Sequence, residues 1–114
     1  MRNEIIIQKM YAYVIKILNY CDDHDYSSFS ADSKLVEACV FNLSQLGELC
    51  RSADDEFISM HPDIPWKEMY GLRNRIVHDY EGVNLVLVWQ IINDDLPSLK
   101  QKLQNMLDDS NMCL

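Results

Sequence analysis

Glycine and proline punctuate a chain, and here each occurs only three times in 114 residues. A small all-β sandwich or barrel needs far more turns than so few punctuators supply, so long uninterrupted helices remain as the fold class. The length is that of one globular domain, and 48% apolar residues suffice to fill one core. The expectation is a single all-α domain over residues 1–114.

Charge narrows the function classes. Ten Lys and Arg stand against 18 Asp and Glu, leaving a net charge of −8. Counterion release from a polyanion needs a basic footprint, which excludes a general nucleic-acid or anionic-membrane coat. A small basic site on an acidic body stays open. Ile5-Ile6-Ile7 runs into Gln8-Lys9, too short for a signal-peptide core, and no apolar run approaches a membrane span. The expected location is the cytoplasm. Cys21, Cys39, Cys50 and Cys113 form no Cys-x-x-Cys pair and have no His at metal-finger spacing. The first three read as small buried hydrophobes inside helices, and the last as part of a tail.

Apolar spacing then places the helices. Ile6, Met10, Tyr13, Val14, Ile17 and Cys21 mark a first helix from about Asn3, the candidate cap, to Cys21. The polar stretch 22–30 reads as a loop, with Ser30 or Asp32 as the next cap. Val36, Cys39, Val40, Leu43, Leu46 and Cys50 mark a second helix, to about Ala53. Asp54, Asp55 and Glu56 open a short helical turn or two, and His61-Pro62-Asp63-Ile64-Pro65 is extended because residues before proline avoid helical torsions. Pro65 suits the first position of a third helix with Trp66, Met69, Leu72 and Ile76 facing inward. Gly82 permits a turn, and Asn84 caps a last helix carrying Leu85, Val88, Trp89, Ile92, Leu96, Leu99, Leu103 and Met106. Pro97 inside that series predicts a kink there or a break just before it. Residues 108–114 read as a frayed tail. The architecture expected is an up-and-down bundle of four to five helices.

One constellation carries chemistry: Gly71-Leu72-Arg73-Asn74-Arg75-Ile76-Val77-His78-Asp79-Tyr80. On an ideal helix Arg73, Val77 and Tyr80 share one face away from the core stripe, and His78 lies about 140° round from Arg73. From Pro65 to Tyr80, Lys67, Arg73 and Arg75 outnumber Glu68 and Asp79, a local excess of positive charge on an acidic chain. Arg with His fits phosphodiester chemistry on RNA. A guanidinium forks onto phosphate oxygens and stabilises charge developing there. An imidazole titrates near neutrality and exchanges a proton with a ribose 2′-hydroxyl or a leaving oxygen. That reaction type requires no metal, and two facing sites in a dimer would supply both a base and an acid.

Plainer readings stand beside it. Arg73 and His78 also fit a surface pair, with His favoured at a helix C-terminus. Arg75 fits a solvated partner for Asp79 or Glu68, and Tyr80 a half-buried aromatic at a helix end. His24 and His61 lie in polar loop sequence and read as non-metal residues. Asp94-Asp95 and Asp108-Asp109 are adjacent, hence on different helix faces, and read as solvated charge.

Arg73-Asn74-Arg75-Ile76-Val77-His78-Asp79-Tyr80 resembles the Arg-x-x-x-x-His-x-Tyr signature of the HepT-like proteins, a branch of the HEPN superfamily. Ile64-Pro65-Trp66 with Gly71-Leu72-Arg73-Asn74 is similar to that family's approach to its motif. Gln45-Leu46-Gly47-Glu48 resembles its second-helix segment, with Leu46 where Ile is commoner, and Asp95-Leu96-Pro97-Ser98-Leu99 resembles its last helix. The resemblance implies a HEPN-like helical homodimer with two motifs meeting in an interface cleft. It implies a metal-independent endoribonuclease without cofactor, the toxin of a toxin–antitoxin pair whose partner is a nucleotidyltransferase of the MNT type. By the same resemblance Arg73 and His78 are the catalytic pair, and Tyr80 is the residue the partner modifies with AMP. Asn74 holds the helix end, and Glu48 lines the cleft and orients Arg73. The alternative is a non-catalytic helical partner subunit of a minimal nucleotidyltransferase that binds nucleotide or RNA. A bare helical dimerisation domain is the third reading.

Overall fold

The apolar stripes of the sequence supply the buried faces of the helices. The computed structural model describes the backbone of residues 2–78 and 82–112 and the side chains of residues 2–77 and 82–109. Helix α1 runs Asn3–Cys21 and buries Ile6, Ile7, Met10, Val14, Ile17 and Cys21. Asn3, expected as its cap, is instead its first residue, and its Nδ2 donates to Asp54 Oδ2 at 3.2 Å. The amide is used to tie two helix starts together.

The stretch 22–30, expected as a loop, contains helix α2, Tyr26–Ala31. Asp25 and Ser28 form a reciprocal capping box, with Ser28 N donating to Asp25 Oδ1 at 2.8 Å. Those amide contacts hold the Asp25 carboxyl below its ordinary range. Phe29 is the single fully buried residue of this polar helix and stacks on Trp89 with ring centroids 4.9 Å apart. One anchored aromatic is too little periodicity to be read from sequence.

Asp32 caps helix α3, Ser33–Arg51, by accepting from Leu35 N at 3.0 Å. Helix α3 buries Val36, Cys39, Leu43, Leu46 and Cys50, together with Asn42 and Gly47. It packs against α1 on one side and, on another, against helices α5 (Trp66–Tyr70) and α6 (Leu72–Ile76). Between them lies the short helix α4, Asp55–Met60, with acidic residues in its first turn. Pro65 is the cap of α5 and not its first residue, and Trp66 Nε1 donates to the His61 carbonyl at 2.9 Å.

The third helix is not continuous. Gly71 separates α5 from α6, yet Trp66, Met69, Leu72 and Ile76 are all buried as the spacing predicts. At Val77 the backbone turns extended, with φ −111° and ψ 121°. Strand β1, Val77–His78, pairs antiparallel with β2, Gly82–Val83, in the register Val77↔Val83 and His78↔Gly82. Gly82 has φ +81°, a left-handed torsion that glycine takes without a Cβ clash.

Asn84 then caps helix α7, Leu85–Gln90, by accepting from Leu87 N at 3.1 Å. The break expected before Pro97 takes the form of a π-helical turn over Ile91–Asp95 that leads into helix α8, Leu96–Met112. Proline offers no N–H, and its ring crowds the carbonyl four residues back, so the preceding turn widens. Leu96 N donates to Ile91 O, the π spacing, and Asn93 Nδ2 donates to Trp89 O at 2.9 Å. The widened turn brings both Ile91 and Ile92 into the core. Residues 108–112, expected to fray, continue α8 as helix. Among the described residues no helix is long and apolar enough to cross a membrane. One cluster of buried side chains from α1, α2, α3, α5, α6, α7 and α8 forms the core of this helical bundle.

Candidate active site

The motif sits where a helix gives way to a hairpin. Leu72 and Ile76 anchor α6 in the core, and Arg73, Asn74 and Arg75 between them are exposed. A short helix held by its apolar side thus presents three polar residues to solvent. The expectation that Arg73, Val77 and Tyr80 share one helical face is overturned, because the helix ends at Ile76. Antiparallel pairing of β1 with β2 replaces the next helical turn, and Asn84 N donates to the Ile76 carbonyl at 2.7 Å. Arg73 therefore comes from a helix and the His78 backbone from the paired strand after it. The side chain of His78, and residues 79–81 with Tyr80, lie outside the described residues.

The placement of α5 and α6 depends on Gly47 of α3. A Cβ built on Gly47 would lie 2.6 Å from the Met69 carbonyl oxygen and 3.6 Å from Leu72 Cβ. Only a residue without a side chain lets α3 approach the motif helices this closely. Its neighbour Glu48 is exposed, and among the described residues no ion pair joins it to Arg73. Asn74 likewise makes no side-chain hydrogen bond among the described residues; the end of α6 is held by the backbone contact from Asn84.

Arg75 lines a different concavity from any that spacing pointed to. A cavity of about 340 Å³ opens between α5–α6 and the π-helical turn. Met69, Leu72 and Leu99 contribute apolar lining, and Arg75, Asp94 and Asp95 are among the charged residues that line it. The adjacent acids keep their exposure, as expected, and the π-helical turn is what brings them to this rim. No sequence signal identified the cavity, because it joins residues of the segment 65–75 to residues of the segment 91–102.

The remaining candidates hold structural contacts. His24 Nδ1 lies 3.0 Å from Ser28 Oγ, and the His61 ring lies 4.6 Å from that of Phe57. Among the described residues no group of three or more His, Cys, Asp or Glu could hold a metal ion. Cys50 is fully buried, and burial pushes its thiol up to about 12.

Comparison with known proteins adds an independent line. A "Putative RNase" of Methanocaldococcus jannaschii is 33% identical over 88 residues, covering 77% of this chain and 81% of the relative. The "Probable ribonuclease HepT" of Thermococcus cleftensis is 33% identical over 81 residues, covering 71% of this chain and 74% of the relative. A "Putative RNase" of Caldanaerobacter subterraneus subsp. tengcongensis is 33% identical over 82 residues, covering 72% and 73% respectively. No solved structure matches the chain at a significant level. The family model described as Ribonuclease HepT-like matches residues 10–106, a span that takes in the core helices and the whole Arg73–Tyr80 motif, and the chain belongs to that family.

Proposed function

We propose that this chain is a metal-independent endoribonuclease whose catalytic pair is Arg73 and His78. The observation that carries the reading is the family membership across residues 10–106, with Arg73 exposed on α6 five residues before His78. The His78 imidazole takes the proton of a ribose 2′-hydroxyl, and that oxygen attacks the adjacent phosphorus. The P–O5′ bond breaks, and a protonated imidazole returns a proton to the leaving oxygen. Arg73 clamps the phosphate and stabilises its developing charge. In a homodimer with two motifs in one cleft, the second copy supplies the acid while the first supplies the base.

The same reading assigns regulation. The chain acts as the cytoplasmic toxin of a toxin–antitoxin pair, and its partner is a nucleotidyltransferase of the MNT type that transfers AMP to Tyr80. A phosphodiester-linked adenosine two residues from His78 adds bulk and negative charge where an RNA phosphate must enter. Asn74 and Glu48 are supporting residues of the cleft.

The test is cleavage of single-stranded RNA by the purified protein in EDTA. Arg73→Ala is expected to lower the rate about 10²–10³-fold, and His78→Ala about 10²–10⁴-fold. Cleavage that depends on a divalent metal, or that survives His78→Ala, refutes the mechanism. Co-expression with the nucleotidyltransferase should add AMP to Tyr80 and abolish cleavage. A chain that binds RNA or nucleotide but never cuts it would instead be the non-catalytic partner subunit.

A further inference from the structure

The proposed reaction leaves the cysteines unused, and two of them meet. Cys21, the last residue of α1, and Cys39, in the second turn of α3, place their sulfur atoms 3.5 Å apart across the α1–α3 interface. Cys50 has no such partner among the described residues. Cys21 and Cys39 are buried to different degrees. Cys39 is fully enclosed, whereas Cys21 retains 6% exposure at the helix end that leads into Asp22 and Asp23. Both thiols are buried, and Cys21, at the end of α1, is the nearer of the two to solvent, where opening of the helix end exposes it first.

We propose that Cys21 and Cys39 form a redox modification site, oxidised by a peroxide to an intramolecular disulfide that staples α1 to α3. The Cys21 thiolate attacks one peroxide oxygen, the O–O bond breaks, and the departing oxygen leaves as water after taking a proton. Cys21 is then a sulfenic acid. The Cys39 sulfur attacks the Cys21 sulfur, the S–O bond breaks, and the hydroxyl leaves as a second water with the Cys39 proton. Two thiols and one peroxide give one disulfide and two waters, the sulfurs oxidised and the peroxide reduced. The contact between the two sulfurs lowers the Cys21 thiol and raises that of Cys39, in keeping with Cys21 as the first to react.

The geometry asks for a modest closure. A disulfide bond is about 2.05 Å long, so the sulfurs approach by roughly 1.5 Å. Cys21 ends its helix, where backbone adjustment disturbs the fewest hydrogen bonds. The two residues are 18 apart in sequence, and the loop they close contains α2, whose Phe29 stacks on Trp89 outside it. Cross-linking a loop of that length removes freedom chiefly from the unfolded chain, so oxidation should strengthen the fold.

The test uses the full chain treated with hydrogen peroxide, then unfolded, alkylated and digested without reductant. The expected result is a peptide pair joining Cys21 to Cys39, an intact mass lower by two hydrogens, and a thermal midpoint higher by roughly 5–10 °C. Dithiothreitol should reverse all three. Cys50→Ser should keep the cross-link, and Cys39→Ser should lose it while leaving a sulfenic acid at Cys21 that dimedone traps. The proposal is overturned if both thiols remain alkylatable after treatment, if Cys21 stops at the sulfinic acid in the unmutated chain, or if the bridge joins two chains. RNA cleavage enters none of these readouts, so the result stands apart from the proposed nuclease activity.

Discussion

A thiol shut away from water keeps its proton, and Cys50 illustrates the consequence. Burial alone raises it from an ordinary value of 9.0 to about 12. At pH below 9 the folded and unfolded chains both hold this proton, and the group is neutral to stability. Above that the unfolded chain releases the proton and the folded one does not, so folding is progressively disfavoured until the pH passes 12. The urea midpoint should therefore fall more steeply from about pH 9 to about pH 12 in the unmutated chain than in Cys50→Ala. Parallel slopes would show that another group governs alkaline unfolding. Cys50 and Cys39 were legible as buried because they lie on the apolar stripe of α3. Asn42 was not: it is a buried polar side chain whose Nδ2 donates to the Ala38 carbonyl of its own helix at 2.7 Å. The display of Arg73 between the buried Leu72 and Ile76 was also legible. Among the described residues no ion pair joins Glu48 to Arg73, and residue type and spacing alone do not specify where two long side chains point.

At the scale of elements, helices that depend on local contacts were the readable ones. Asp32 and Asn84 cap α3 and α7 through their own side chains, as the sequence predicts, and α1 has the bounds its spacing sets. Elements decided by distant partners were not. Helix α2 exists through a local capping box, but Phe29 of α2 is anchored by Trp89 of α7, far along the chain. The motif helix stops at Ile76 because β2 returns to pair with Val77 and His78. Gly47 is the clearest case for test. Substitution by Ala forces a Cβ to within 2.6 Å of a backbone oxygen, which cannot rotate away as a side chain can. Gly47→Ala should cost about 1–3 kcal/mol by urea denaturation, although Ala is the better helix former. A stabilised variant would mean that α3 and α5 separate without penalty and that glycine does not set the position of Arg73.

For the whole molecule the net charge of −8 is the governing quantity. An acidic body repels RNA at long range, so attraction must come from a few guanidinium–phosphate contacts in the cleft proposed around Arg73 and Arg75. Such binding is weak and screened by salt. The KM for single-stranded RNA should rise about tenfold between roughly 50 and 200 mM salt, with kcat little changed. A KM indifferent to salt would exclude phosphate contacts as the source of affinity. Arg75→Ala should weaken the salt dependence without the loss of rate expected for Arg73→Ala.

By itself the sequence determined the all-α class, the three long helices and their buried faces, two of the caps, and the region where chemistry is expected. Helical periodicity and capping are written within a few residues, and burial follows from spacing alone. Tertiary structure decided the break at Gly71, the strand pairing after Ile76, the close approach at Gly47, the π-helical turn that brings Ile91 inward, and the meeting of Cys21 with Cys39. Each of these depends on how segments far apart in the chain pack together, and local periodicity carries no record of which distant surface a helix will meet.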